Sequence, residues 1–164
     1  MTESLHHLMY NIDWPHFLLL FIYVALLGFF FAKVEIQIEG GAGWATSLPT
    51  WRIEQHLLLT LFWGGRPMTG YHAWAFTFIA LIFHLPLAMA GQWSGMLEAR
   101  VVASIALFWV IEDFLWFVLN PDFGLAGFNP KNAFWHKNWI FGAPVEYWAA
   151  SILGTGVMAW TYST

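Results

Sequence analysis

The chain has no cysteine, and charge is scarce: 6 Lys and Arg with 10 Asp and Glu, 10% of 164 residues. Without cysteine there is no thiolate nucleophile, Cys-ligated zinc, iron–sulfur cluster or disulfide framework. Six cations cannot build a phosphate-tracking stripe, and the net charge is -4, so nucleic acid is not an expected partner. A water-soluble domain carries about 25% charged residues. Compact catalytic signatures are missing too. There is no H-E-x-x-H, no histidine box and no G-x-S-x-G, and Gly40-Gly41 and Gly64-Gly65 do not continue into Lys-Ser/Thr.

What is present is apolar and aromatic. Hydrophobic residues make up 59% and aromatics 20%, with 16 Phe, 12 Trp and 5 Tyr, and mean hydropathy is +0.58. The expectation is a single all-α integral membrane domain over residues 1–164. Four runs predict spans at about 15–34, 71–90, 100–119 and 144–162, each ~20 residues and so ~30 Å long. Asn120-Pro121 stops the third, and Pro144 suits the first turn of the fourth. The first is expected as a span and not as a signal peptide, because nothing cationic precedes it.

Two connections differ from these spans. Glu35-Ile36-Gln37-Ile38-Glu39 alternates with period two before Gly40-Gly41. Residues 51–63 read as a short helix of ~20 Å, interfacial or re-entrant, with Thr50 as N-cap. The segment from Pro121 to Ala143 is too apolar for a free linker and is expected to fold back on the membrane surface. Lys33, Arg52, Arg66, Lys131 and Lys137 fall on one side of a four-span arrangement and only Arg100 on the other. The positive-inside rule then puts both long connections in the cytoplasm and both termini outside.

Glu112 and Asp113 lie ~10–12 Å inside the third span. An acid deep in a helix costs roughly 2.5–3.5 kcal/mol to insert, so two in sequence demand a proton, a cation, water or a metal. His72 opens the second span, Glu146 the fourth, and His136 sits between the third and fourth, all on that same side. Imidazoles with carboxylates are the donor set of zinc, non-haem iron and manganese centres. The expected metal ligands are His56, His72, Glu112, His136 and Glu146. Asp113 and Glu54 are the catalytic acid–base candidates. Glu112 and Asp113 diverge by ~100° around the helix, so they cannot serve one site equally.

Most tryptophans, including Trp44, Trp51, Trp63, Trp135 and Trp148, read as an interfacial belt. Trp109 and Trp116 lie deeper and are the cofactor- or ligand-binding candidates. Ala149, Ala150, Gly154 and Gly156 form a small-residue face for close helix approach. His16 and His84 offer bis-imidazole haem ligation, against which His84 can simply bond a carbonyl freed by Pro86. A divalent transition metal (zinc, iron or manganese) is preferred to haem. The expected function is a metal-dependent membrane enzyme, hydrolase or oxidoreductase, acting on a lipid-like or small apolar substrate. One alternative is an accessory subunit of a larger membrane complex that packs against partners, pigment, haem or quinone. Another is a proton or ion pathway through Glu112 and Asp113. Membrane lipid is the expected partner, with further copies of the chain or other subunits beside it.

Overall fold

The computed structural model describes residues 12–57, 59 and 66–163. His6, His7, Trp63 and most of the region from 58 to 65 lie outside the described residues. Among the described residues, three helices are long and apolar enough to cross a membrane, and they mark the chain as an integral membrane protein. They are α1 (Trp14–Glu39), α2 (Gly70–Ala90) and α3 (Gly95–Leu119). A four-residue turn, α4 (Gly124–Gly127), and a 16-residue helix, α5 (Val145–Trp160), follow.

Each of the three long helices begins on a side-chain cap. Asp13, Thr69 and Ser94 accept from the third amide onward in α1, α2 and α3, satisfying one of the donors that a helix start leaves unpaired. The Ser94 cap starts α3 five residues before Arg100, which therefore lies inside the helix. Arg100 reaches out of it to the carbonyl and hydroxyl of Thr161, at 2.5 and 3.1 Å, and its guanidinium sits over the Tyr162 ring.

The stretch from Glu35 to Glu39 is not a strand. α1 runs through it to a stop at Gly40, whose φ of 62° closes the helix. Burial here falls on Ala32, Glu35, Ile36 and Glu39 while Gln37 and Ile38 are exposed, a helical period that overrides the two-residue alternation of hydropathy. The expected helix over 51–63 also needs correction at its start. Arg52–Ile53 pairs antiparallel, as β1, with β2 (Met68–Thr69), and 54–56 are irregular. The pairing ties the entry of α2 to the preceding loop through Gly70 N–H and the Trp51 carbonyl, 2.9 Å apart.

α3 is the central helix, packed against α1, α2 and α5. Two glycines set the approach. A Cβ on Gly28 would stand 3.1 Å from Ile111, and one on Gly154 would stand 2.9 Å from Leu107. Of the small-residue face in α5, Gly154 makes the close approach, whereas a Cβ on Gly156 would meet open space. One apolar core, around Val24, Phe83, Leu107, Phe108 and Met158, fills the end nearer the described chain termini. A second, around Ala32, Ile36, Trp44, Trp116, Phe117 and Trp135, fills the other end. The outer faces remain apolar, with Leu19, Phe30, Leu81 and Leu153 exposed, as contact with hydrocarbon requires.

The connection after α3 folds back over this second core, burying Ala133, Trp135 and His136. Asn120 Nδ2 donates to the Gly40 carbonyl at 2.8 Å, joining the ends of α1 and α3. A hairpin then leads into α5: β3 (Trp139–Ile140) pairs with β4 (Ala143–Pro144). Its two-residue loop is Phe141-Gly142, with φ of 50° and 78°, the left-handed pair that matches strand twist. The hairpin brings His136 and Glu146 to the same place.

Candidate functional site

The helix ends nearest the second core enclose a cavity of about 280 Å³. Its polar side chains come from every main element: Glu35 and Glu39 from α1, His72 from α2, Glu112 and Asp113 from α3, Glu146 and Tyr147 from α5. Loops add Arg66 and His136, and Phe76, Trp109 and Trp116 supply apolar wall. Of the residues expected from sequence, His72, Glu112, Asp113, His136, Glu146, Trp109 and Trp116 all line this one space. His56 and Glu54 are exposed and are not in its lining, because the chain around them is not a helix that could turn one face inward.

The polar groups fall into two sets. In the first, Glu35, Glu39 and His72 each offer a donor atom, all within 4.8 Å of one another and all buried. Glu35 accepts from the Tyr71 hydroxyl at 2.9 Å and is hydrogen-bonded to Glu112, a contact that two carboxyl groups make only by sharing a proton. Glu39 accepts from the Ala45 amide at 2.5 Å. His72 Nδ1 is 2.7 Å from Thr69 Oγ1, and its ring stacks on Trp44. Glu112 is 2% exposed, and its Oε1 has no hydrogen-bond partner. Three buried carboxyls thus gather with no cation in hydrogen-bonding contact among the interactions described, an arrangement that is costly without a counter-charge.

The second set is balanced. His136 Nε2 lies 2.9 Å from Asp113 Oδ2, and its Nδ1 lies 2.8 Å from Glu146 Oε1. Arg66 pairs with the same Glu146, and the Tyr147 hydroxyl donates to Asp113. Two carboxylates therefore face an imidazole and a guanidinium. Burial opposes a charged His136, but the hydrogen bonds to Asp113 and Glu146 outweigh it and hold the imidazole above its ordinary range. Both ring nitrogens of His136 thus face carboxylates, and Arg66 Nη2 also lies 3.3 Å from Nδ1. Asp113 belongs to this second set and Glu112 to the first, as their ~100° divergence requires.

The loop between the sets is strained. Trp44 and Ala45 are consecutive non-glycine residues at φ of 59° and 52°, a conformation costing of order 1–3 kcal/mol each and kept only where surroundings enforce it. Here the Glu39–Ala45 bond, Arg52 on the Trp44 and Ala45 carbonyls, and Trp44 Nε1 on the Pro67 carbonyl enforce it. Trp44 and Trp135 are buried site residues, unlike the exposed Trp51 and Trp148; the belt reading fails for them because their loops fold inward.

Glu35, Glu39, Tyr71, Arg66, Trp44 and Tyr147 are additions to the sequence-derived set. Glu35-x-x-x-Glu39 is one helical turn at the end of an apolar run, a signal that the period-two alternation concealed. At the opposite end, His84 Nδ1 bonds the Ala80 carbonyl at 2.7 Å and its Nε2 lies 3.3 Å from Glu98, while His16 pairs with Asp13. That carbonyl is not the one Pro86 leaves free. No known family model, curated protein or solved structure matches this chain.

Proposed function

We propose that this protein is a metal-dependent membrane enzyme whose ion is held by Glu35, Glu39 and His72, with Glu112 completing the donor set. The observation that carries the reading is the buried convergence of three donor atoms within 4.8 Å, beside a buried Glu112 oxygen that lacks any partner. A divalent cation would replace the proton that Glu35 and Glu112 otherwise share and would offset two of the three carboxylate charges. Three carboxylates with one imidazole form an oxygen-rich set, better suited to manganese or iron than to zinc. With Nδ1 engaged by Thr69, His72 binds through Nε2, and the second bond fixes its ring.

Such an ion supplies Lewis acidity or an activated water or oxygen. Asp113, lining the same cavity, is the acid–base group, and Glu146–His136 behind it carries protons toward the surface. The aromatic wall of Phe76, Trp109 and Trp116 suits a lipid-like or small apolar substrate. The reaction class is hydrolytic or oxidative. In this reading α5 is the fourth span: 16 residues give ~24 Å, and the loops at both its ends extend the crossing. The cation asymmetry supports a site at the cytoplasmic face.

Elemental analysis of gently purified protein tests the centre. The expected result is stoichiometric manganese or iron, lost in Glu39→Gln and His72→Gln and retained in His136→Gln. Protein devoid of transition metal, or full metal content in Glu39→Gln, overturns the reading.

A further inference from the structure

Beside the metal cavity lies a second recess of about 350 Å³. Arg52, Arg66 and Lys137 line it, with Glu54 as its one acid. Half of the six cations of the chain are therefore spent on one hollow. Trp44, Arg66 and Trp135 line both spaces, so the two are separated by no more than the thickness of those side chains. The carbonyls of Trp44 and Ala45 and the carboxylate of Glu146 use part of what the two arginines offer, and each guanidinium has five donors. Two further donors lack acceptors: the indole N–H groups of Trp116 and Trp135 are buried without partners, and both side chains line the metal cavity. A buried donor without an acceptor is costly and calls for an oxygen-bearing occupant.

We infer that this recess is the headgroup site for a phosphate-bearing anionic amphiphile, whose apolar part enters the aromatic cavity and reaches the metal site. The assignment rests on the proposed metal centre for the statement that this amphiphile is the substrate, but not for the statement that it binds. The cations select a phosphate, because guanidinium and ammonium donors match its oxygens with charge-assisted hydrogen bonds. The indoles accept no charge but donate to ester or hydroxyl oxygens further in. The outer helix faces are apolar, so the chain sits among membrane amphiphiles, and the recess shares lining residues with the metal cavity.

The test is equilibrium binding to the full chain in non-ionic detergent, read by native mass spectrometry. The probes are a short-chain phosphatidic acid, phosphatidylcholine with the same chains, and inorganic phosphate. Phosphatidic acid should bind about tenfold tighter than either of the others, since phosphatidylcholine lacks the net charge and free phosphate lacks the chains. Lys137 is exposed, so Lys137→Glu should fold, keep its metal and lose about tenfold in affinity for phosphatidic acid, with Lys137→Arg restoring it. Equal binding of the two lipids, or an unchanged Lys137→Glu, overturns the headgroup site. Inorganic phosphate binding as tightly as phosphatidic acid overturns the amphiphile and leaves a free-phosphate site. Discrimination by a protein that holds no metal overturns the proposed enzyme and leaves the headgroup site standing.

Discussion

The indole of Trp44 lies against the imidazole of His72, with ring centroids 4.2 Å apart and planes 25° from parallel. With Thr69 on Nδ1, the stack holds the His72 ring in one orientation at the edge of the carboxyl cluster. Trp44 itself is held in a left-handed backbone by Arg52 and Pro67. Replacing Trp44 with Leu should therefore lower metal affinity by about 10–100-fold, the usual cost of losing a group that orients a ligand. Trp44→Phe should keep most of it. Metal titration in detergent with a competing chelator measures both.

The pH dependence of stability should trace to His136. Its folded value is raised by Asp113 and Glu146, so the charged imidazole favours the folded state. That stability is fully present below the ordinary histidine value of about 6.5 and is lost as pH rises through the raised folded value. Thermal melts in detergent should show the midpoint falling over that window. His136→Gln should be less stable at acidic pH and should lack this part of the dependence. A midpoint in the native chain that rises over the same window would contradict the assignment.

Glu39 and Glu146 should separate cleanly although both line one cavity. Glu39→Gln removes a proposed ligand and should abolish metal retention. Glu146→Gln removes a carboxylate that partners His136 and Arg66, and should leave the metal in place while lowering turnover. Elemental analysis of the two variants reads the difference directly.

Helix packing offers a control with no bearing on chemistry. Gly154→Val drives a Cβ into Leu107 and the Ala103 carbonyl, and overpacking of this kind costs typically 1–3 kcal/mol. Gly156→Ala, two residues on in the same helix, meets open space and should stabilise by about 0.5–1 kcal/mol through helix propensity. Unfolding in mixed micelles ranks the pair.

Much of the site is legible in the sequence. Glu112 and Asp113 stood out because ionisable groups are costly in an apolar helix. The alternating direction of the spans brought His72, His136 and Glu146 to their level, and all five line one cavity. Glu35 and Glu39 were hidden because hydropathy alternates along Glu35-Ile36-Gln37-Ile38-Glu39, and only burial reveals the helical period. Glu54 and His56 drew attention by chemistry alone, yet Arg52–Ile53 pairs with Met68–Thr69 and turns that segment into a loop.

What the sequence by itself determined is the solvent and the accounting. A chain with 10% charge and 20% aromatics must bury its helices in lipid, and each acid within them must find a partner, because hydrocarbon offers none. Tertiary structure alone decided which partner. His136 went to two carboxylates across a hairpin turn at Phe141-Gly142, and Arg66 joined them. Among the described residues, the carboxyl groups of Glu35, Glu39 and Glu112 were left together with no cation in hydrogen-bonding contact. Partner choice depends on how helices and loops meet over tens of residues, and no local pattern encodes it.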